Sequence, residues 1–336
     1  QYDRAGYGYF GFSCDLGPAQ FAEFRQAVAY LLNRVEFAQT FCQGWGSVVH
    51  GPYCTAFTMT AKTDIDKKVN HYDYNPEKAV ELLKQAGFVY NADGSDYVDG
   101  SGEVRYAKVT EEQARYYESF NKVLADGTIL MPATLNWASS QGNSVSALLT
   151  TMLASSEATK AAGISIVKTE MDFPSMLSYM YGQESNGAVG DFTVPTYNMF
   201  NLATGWNNAV YDYAYNWSPS VDYAGYSSNK VIDPYDLAFP YDQTADRLTY
   251  EEAVEASGDK LGMDYLSMGI VYNATTEDEY NEWWMAYIER WNELMPDIPL
   301  YSNYYYDVYN ANIENFVTSP FFGPARAILY SNIKGY

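Results

Sequence analysis

Side chains able to do chemistry are unevenly supplied in this chain of 336 residues. It has 42 acidic groups but only two histidines, His50 and His71, and three cysteines, Cys14, Cys42 and Cys54. A Ser-His-Asp triad would need one of the two imidazoles, and neither lies in a stretch resembling a catalytic motif. The cysteines form no CxxC and no Cys/His cluster, so a structural zinc site lacks its ligand set. Paired carboxylates and aromatic platforms suit glycoside chemistry, yet no pair stands out among the acids. A GxGxxG occurs at Gly6, Gly8 and Gly11. It would bind a dinucleotide only between a strand and a helix that opens on it. Little precedes it and "FSCDLGP" follows, so it reads as an aromatic strand with small residues. The acids of residues 91–103 lack the glutamate that closes an EF-hand loop. No catalytic residue, metal or cofactor is called for.

Tyrosine is what the chain has in excess, with 34 copies against 16 Phe and 7 Trp. An apolar ring with a polar tip suits wet, tolerant binding surfaces; a plain composition bias is the other reading. The formal net charge of -22 repels phosphate backbones and anionic lipid head groups, which argues against nucleic acid and direct membrane adhesion. No segment is apolar for long enough to span a bilayer. No signal peptide opens the chain and no lipid-attachment cysteine stands at residue 1. The expectation is a cytosolic protein or a processed piece of an exported one. Export would permit a disulfide between Cys42 and Cys54; two free thiols near a core edge is the alternative.

The elements that would position such a surface alternate between strand and helix. Residues 7–14 read as a strand. "EFRQAVAYLLNRVEF", residues 23–37, places Phe24, Ala27, Val28, Leu31, Leu32 and Val35 on one helical face. Arg25 and Arg34 on it read as helix-surface or ion-pair residues. "DYNPEKAVELLKQAGF" has Asn75 as N-cap, Pro76 at the first helical position and Gly87 as the left-handed stop. "TILMPATLNWA" reads as a strand and "SVSALLTTMLASSEATKAAG" as one helix ending at Gly163. Then follow the strand "ISIVKTEMDF", a helix from Pro174, the strand "VPTYNMFNLATGW", a loop-rich stretch over 207–250, a long aromatic helix stopped by Pro296, and the strand "IPLYSNYYYDVYN". This order predicts an α/β fold with a mixed, mostly parallel sheet flanked by helices.

Four of these segments, in order, carry a resemblance. "FRQAVAYLLNR", "YDYNPEKAVELLKQAGF", "AAGISIVKTEMDF" running on to "NLATGW", and "LMPDIPLYSNYYY" are similar to segments of the oligopeptide-binding proteins of bacterial ABC importers, solute-binding family 5. The resemblance implies a periplasmic-binding-protein-like lobe. It makes residues 1–20 a crossing strand and hinge from a first lobe, 21–296 the second ligand-binding lobe, and 297–336 a return segment toward the first. Family members are considerably longer, so this chain is expected to be a piece of the whole. The resemblance further implies a monomeric extracellular, cell-surface or periplasmic protein with a lipid anchor outside this chain. Its partners would be an oligopeptide or other small solute and the transmembrane subunits of an ABC permease, and it would not be an enzyme.

The ligand wall is expected after the "GW", at Trp206, Asn207, Asn208, Tyr211 and Asp212, with Tyr9, Ser302 and Asn303 as further candidates; a buried core role is the other reading of Trp206. Many family members hold the ammonium end of a peptide with an acid three residues beyond the "GW". That position is Ala209 here, and Asp212 is the nearest acid. The solute is therefore a peptide held differently, or another solute such as a sugar oligomer. An extracellular carbohydrate-binding or glycoside-active protein, and a family member that senses peptides rather than importing them, are the competing functions.

Overall fold

Strand and helix signals resolve into a mixed sheet with helices packed on it. The structure, a computed structural model, describes residues 1–182, 187–192, 194–206, 231–258 and 260–335. The main sheet runs Tyr2–Asp3, Asp297–Tyr305, Gly8–Phe12, Met199–Ala203, Thr134–Ser140, Ser165–Met171, with Gly46–Ser47 also pairing onto Asp297–Tyr305. Thr134–Ser140 is parallel to both Met199–Ala203 and Ser165–Met171. Gly8–Phe12 is antiparallel to Met199–Ala203 on one side and to Asp297–Tyr305 on the other. Four strands therefore point one way, with the segment near the chain start inserted against them. A second, four-stranded antiparallel sheet joins Phe88–Tyr90, Tyr106–Val109, Ile129–Pro132 and Lys122–Val123. Sequence reading merged part of it with the following central strand, because Pro132 and Ala133 mark the change of sheet only through a bend.

The core lies between the main sheet and its helices. The aromatic helix Glu277–Leu294 buries Trp283, Trp284, Tyr287, Ile288 and Trp291. A capping box formed by Thr276 and Glu279 starts it, and Met295 in the left-handed region ends it. Burying five such side chains removes a large apolar area from water. Asn75 caps the helix Pro76–Gln85 by accepting from the Lys78 amide, as the sequence predicted.

Residues 23–37 do not form one helix. Ala22–Tyr30 ends after Tyr30, and a second helix, Arg34–Cys42, begins with Asn33 as its N-cap, accepting from the Glu36 amide at 3.1 Å. Asn33 and Arg34, inside the run read as one helical face, are the start of the second helix: Asn at an N-cap satisfies an amide that mid-helix Asn cannot. Likewise Ser156 breaks the helical run that was read as ending at Gly163. Ser144–Leu149 passes through a π turn at Thr150–Ala154, and Ser156 then caps Glu157–Ala161.

Both arginines of the first segment are buried rather than at the surface, and among the described residues their side chains donate to carbonyl groups. Arg25 is 1% exposed. Its Nη1 donates to the Ala19 carbonyl at 2.7 Å, its Nε to Met295 at 3.0 Å, and its Nη2 to Leu294. It thus caps the C-terminus of the aromatic helix, where orphan carbonyls and the helix dipole favour a cation. Arg34, also buried, donates through Nη1 to Pro299 at 2.9 Å and Val49 at 3.3 Å, and through Nη2 to the His71 carbonyl. Burial lowers its pKa to about 10. Cys14, Cys42 and Cys54 are all free and buried.

Candidate functional site

Strands that point the same way end at the same edge, and in open α/β sheets ligands collect at that edge. Here the edge carries Ser140, Met171, Ala203 and the turn Thr204–Trp206. The strand Gly8–Phe12 starts there, with Gly8 opposite both Ala203 and Tyr301. Its ladder continues past the strand proper: the Thr204 amide donates to Tyr7 at 2.9 Å and the Trp206 amide to Ala5 at 2.7 Å. Two of the three motif glycines are explained by this crowding. A Cβ on Gly6 would sit 2.1 Å from the Thr204 carbonyl oxygen, and one on Gly8 would lie 2.3 Å from the Tyr301 ring.

Trp206 is half-buried at this edge. Its indole packs between Tyr7, at 5.0 Å between ring centres, and Phe57, at 5.5 Å. It therefore belongs partly to the core surface and partly to the edge, between the two readings made of it. Tyr7 is buried and its hydroxyl donates to both oxygens of Asp297, at 3.2 and 3.3 Å. Burial and the Asp297 carboxylate hold the Tyr7 phenol well above its ordinary pKa, so it stays a donor. Tyr9 is half-buried with its ring 5.4 Å from that of Tyr7, and burial raises its pKa too. The side chains of Ser302 and Asn303 turn to residues near the chain start: Ser302 Oγ donates to the Gly6 carbonyl at 2.7 Å, and Asn303 Oδ1 accepts from Arg4 Nη1 at 3.3 Å. Asn207, Asn208, Tyr211 and Asp212, and the anchor position Ala209, lie outside the described residues.

Sequence reading missed the polar groups that brace this edge. Asn201, buried in the strand before the turn, accepts at Oδ1 from Trp137 Nε1 at 3.0 Å and from Ser146 Oγ at 2.9 Å. Ser139 Oγ donates to Ser146 Oγ at 2.5 Å. An amide inside the apolar run "MFNLA" was the available signal, since a buried polar group needs partners. Arg4 and Tyr7 gave none, because their partners lie about 200 or more positions away.

The two histidines come together elsewhere, their rings stacked at 3.8 Å and 4°. His50, His71 and Asp66 each bring a ligand atom within 4.8 Å of the others. Imidazole lone pairs lie in the ring plane, and a transition metal sits at about 2.0–2.1 Å along them. With parallel rings an ion in one plane lies well out of the other. Arg34 Nη2 also donates to His50 Nδ1 at 3.3 Å, which places a cation at one of the lone pairs. As arranged, the group is a packing hub around Arg34 beside a pocket of about 120 Å³. Burial, then Arg34 and His71, push the His50 pKa down to about 3.

Residues 1–126 match the family model described as bacterial extracellular solute-binding proteins, family 5, middle. The oligopeptide-binding protein AppA from Bacillus subtilis, solved with a nonapeptide, superposes with a TM-score of 0.61 at 16% identity, covering 98% of this chain and 51% of that one. The oligopeptide-binding protein from Thermus thermophilus, complexed with a pentapeptide, gives 0.59 at 17%, covering 96% and 46%. NikZ from Campylobacter jejuni in complex with Ni(L-His) gives 0.51 at 16%, covering 95% and 49%. No curated protein matches. The chain thus spans about half the length of these solved proteins and shares their fold over that half. The resemblance and the α/β fold read from the sequence are both borne out. Among the described residues no helix is long and apolar enough to cross a membrane.

Proposed function

We propose that this chain is the second, ligand-gripping lobe of the extracellular solute-binding component of an ABC importer, with an oligopeptide as its solute. The observation that carries this reading is the edge itself. The strand Met199–Ala203, one of four that point the same way, leads to Trp206 at the rim beside the crossing strand, in a fold shared with oligopeptide-binding proteins. On this reading residues 1–20 are the hinge, 21–296 the lobe and 297–336 the return segment. The apolar side chains exposed on that segment, with Val308 97%, Leu329 78% and Tyr330 70% accessible, support its packing against a further lobe. Trp206 and Tyr9 would form the described part of the ligand wall. Asn207, Asn208, Tyr211 and Asp212 follow from the resemblance, with Asp212 as the ammonium anchor.

A solute bridging both lobes stabilises the closed state through contacts the open state lacks. Main-chain hydrogen bonds would grip the peptide, and aromatic walls would accept varied side chains. The closed form would then deliver its solute to the permease, and the protein would act as a lipid-anchored monomer without catalysis. Calorimetry of the full-length protein against a pentapeptide pool and against mixed sugar oligomers tests the reading. Micromolar binding of peptides alone, about -8 kcal/mol, is expected. Binding of sugar oligomers without peptides, or release of reducing ends from polysaccharide, would overturn it.

A further inference from the structure

We propose that Arg4 is a positioning residue that locks the Trp206 turn to both strands of the hinge. The proposal rests on the reading of Trp206 as ligand wall and adds how that wall is held. Arg4 Nη2 donates to the Thr204 carbonyl at 2.9 Å, and its Nη1 donates to Asn303 Oδ1 at 3.3 Å. Its backbone amide donates to the Asn303 carbonyl at 3.2 Å. One forked guanidinium therefore spans the segment before the crossing strand, the turn at the strand edge and the return strand. A lysine, a point charge without a fork, reaches only one of those acceptors.

The neighbourhood leaves the turn little other freedom. Gly6 lies against the Thr204 carbonyl and the Gly205 Cα, the Trp206 amide is tied to Ala5, and Ser302 Oγ closes on the Gly6 carbonyl. The contacts made by the backbone fix where the turn runs along the crossing segment. Among the described residues, the Arg4 fork is what ties it to the return strand as well. A change in the angle between the two hinge strands is thereby passed to the direction of the Trp206 indole, and a load on the indole is passed back to the hinge. That is the coupling a two-lobed binder needs between its wall and its closure.

The test is a double-mutant cycle in the full-length protein, read by amide hydrogen exchange without ligand and by affinity for a pentapeptide pool. Arg4→Ala should speed exchange at Trp206 by about ten-fold or more and weaken peptide binding by a similar factor. Amides of the helix Pro76–Gln85 should keep their rates. Arg4→Lys should fall between. Asn303→Asp converts the side-chain contact, already charge-assisted by the guanidinium, to an ion pair. It should slow Trp206 exchange when Arg4 is present and lose that effect in the Arg4→Ala background; if the Arg4–Asn303 contact does not hold the Trp206 turn, the two changes are additive in Trp206 exchange. Unchanged Trp206 exchange in Arg4→Ala, or additive effects in the cycle, would overturn the proposal. If the cycle is non-additive but no peptide binds, the positioning role stands and the oligopeptide reading falls.

Discussion

Removing the His50 imidazole should change how stability depends on pH, by an amount the structure sets. The ring is half-buried against His71, and its Nδ1 accepts from Arg34, so its neutral form is the one the fold selects. The folded pKa is pushed down to about 3 from the ordinary 6.5, first by burial, then by Arg34 and His71. A histidine depressed in this way stays neutral in the folded state while the unfolded chain takes up a proton. Its contribution is fully present above pH ~6.5 and is lost as the pH falls toward the folded value. Each unit of pH in that window costs about 1.4 kcal/mol, so the step from pH 6.5 to 5 removes ~2 kcal/mol, less whatever solvent screening at the partly exposed ring takes away. His50→Gln keeps an acceptor for Arg34 but cannot titrate. Urea unfolding followed by tryptophan fluorescence should show the wild type losing about 1–2 kcal/mol relative to the variant between pH 7.5 and 5. Comparing the two proteins cancels other groups, including half-buried Asp236, whose pKa is raised to about 7, chiefly by desolvation. A difference independent of pH, or an NMR titration of His50 with its midpoint near ~6, would refute the reasoning.

Three further outcomes are expected. Arg25→Met removes the donors that satisfy the Ala19, Leu294 and Met295 carbonyls and should destabilise the chain by ~2–4 kcal/mol in denaturant unfolding; a loss under ~1 kcal/mol would contradict the capping role. Gly6→Ala forces a Cβ onto the Thr204 carbonyl and should shift the turn or cost ~2 kcal/mol or more, read as altered tryptophan emission together with a lower unfolding midpoint; a variant identical to wild type in both would show the close approach is not required. Trp206→Ala and Asp212→Asn, each in full-length protein, should weaken peptide binding by about ten-fold; unchanged binding in Asp212→Asn removes the ammonium anchor, and global unfolding of Trp206→Ala would assign that indole to the core.

The sequence by itself determined what depends on local chemistry and short spacing. Asn75-Pro76 and Gly87 bracketed their helix correctly, because caps and left-handed stops act within one turn. The aromatic face of Glu277–Leu294 was legible in its period, and four ordered segments pointed to the fold. Local signals failed where one element hands over to the next: Asn33 and Ser156 are helix starts inside runs whose apolar period continues across the break. Tertiary structure alone decided what the charged and polar groups of the edge do. Arg25 and Arg34 were read as helix-surface or ion-pair residues, and only the arrival of Leu294, Met295 and Pro299, some 265 or more positions away, shows that carbonyl groups receive them. The same holds for Arg4 with Thr204 and Asn303, and for Tyr7 with Asp297. The physical reason is that a hydrogen-bond partner is chosen by distance in space, while the sequence records only distance along the chain.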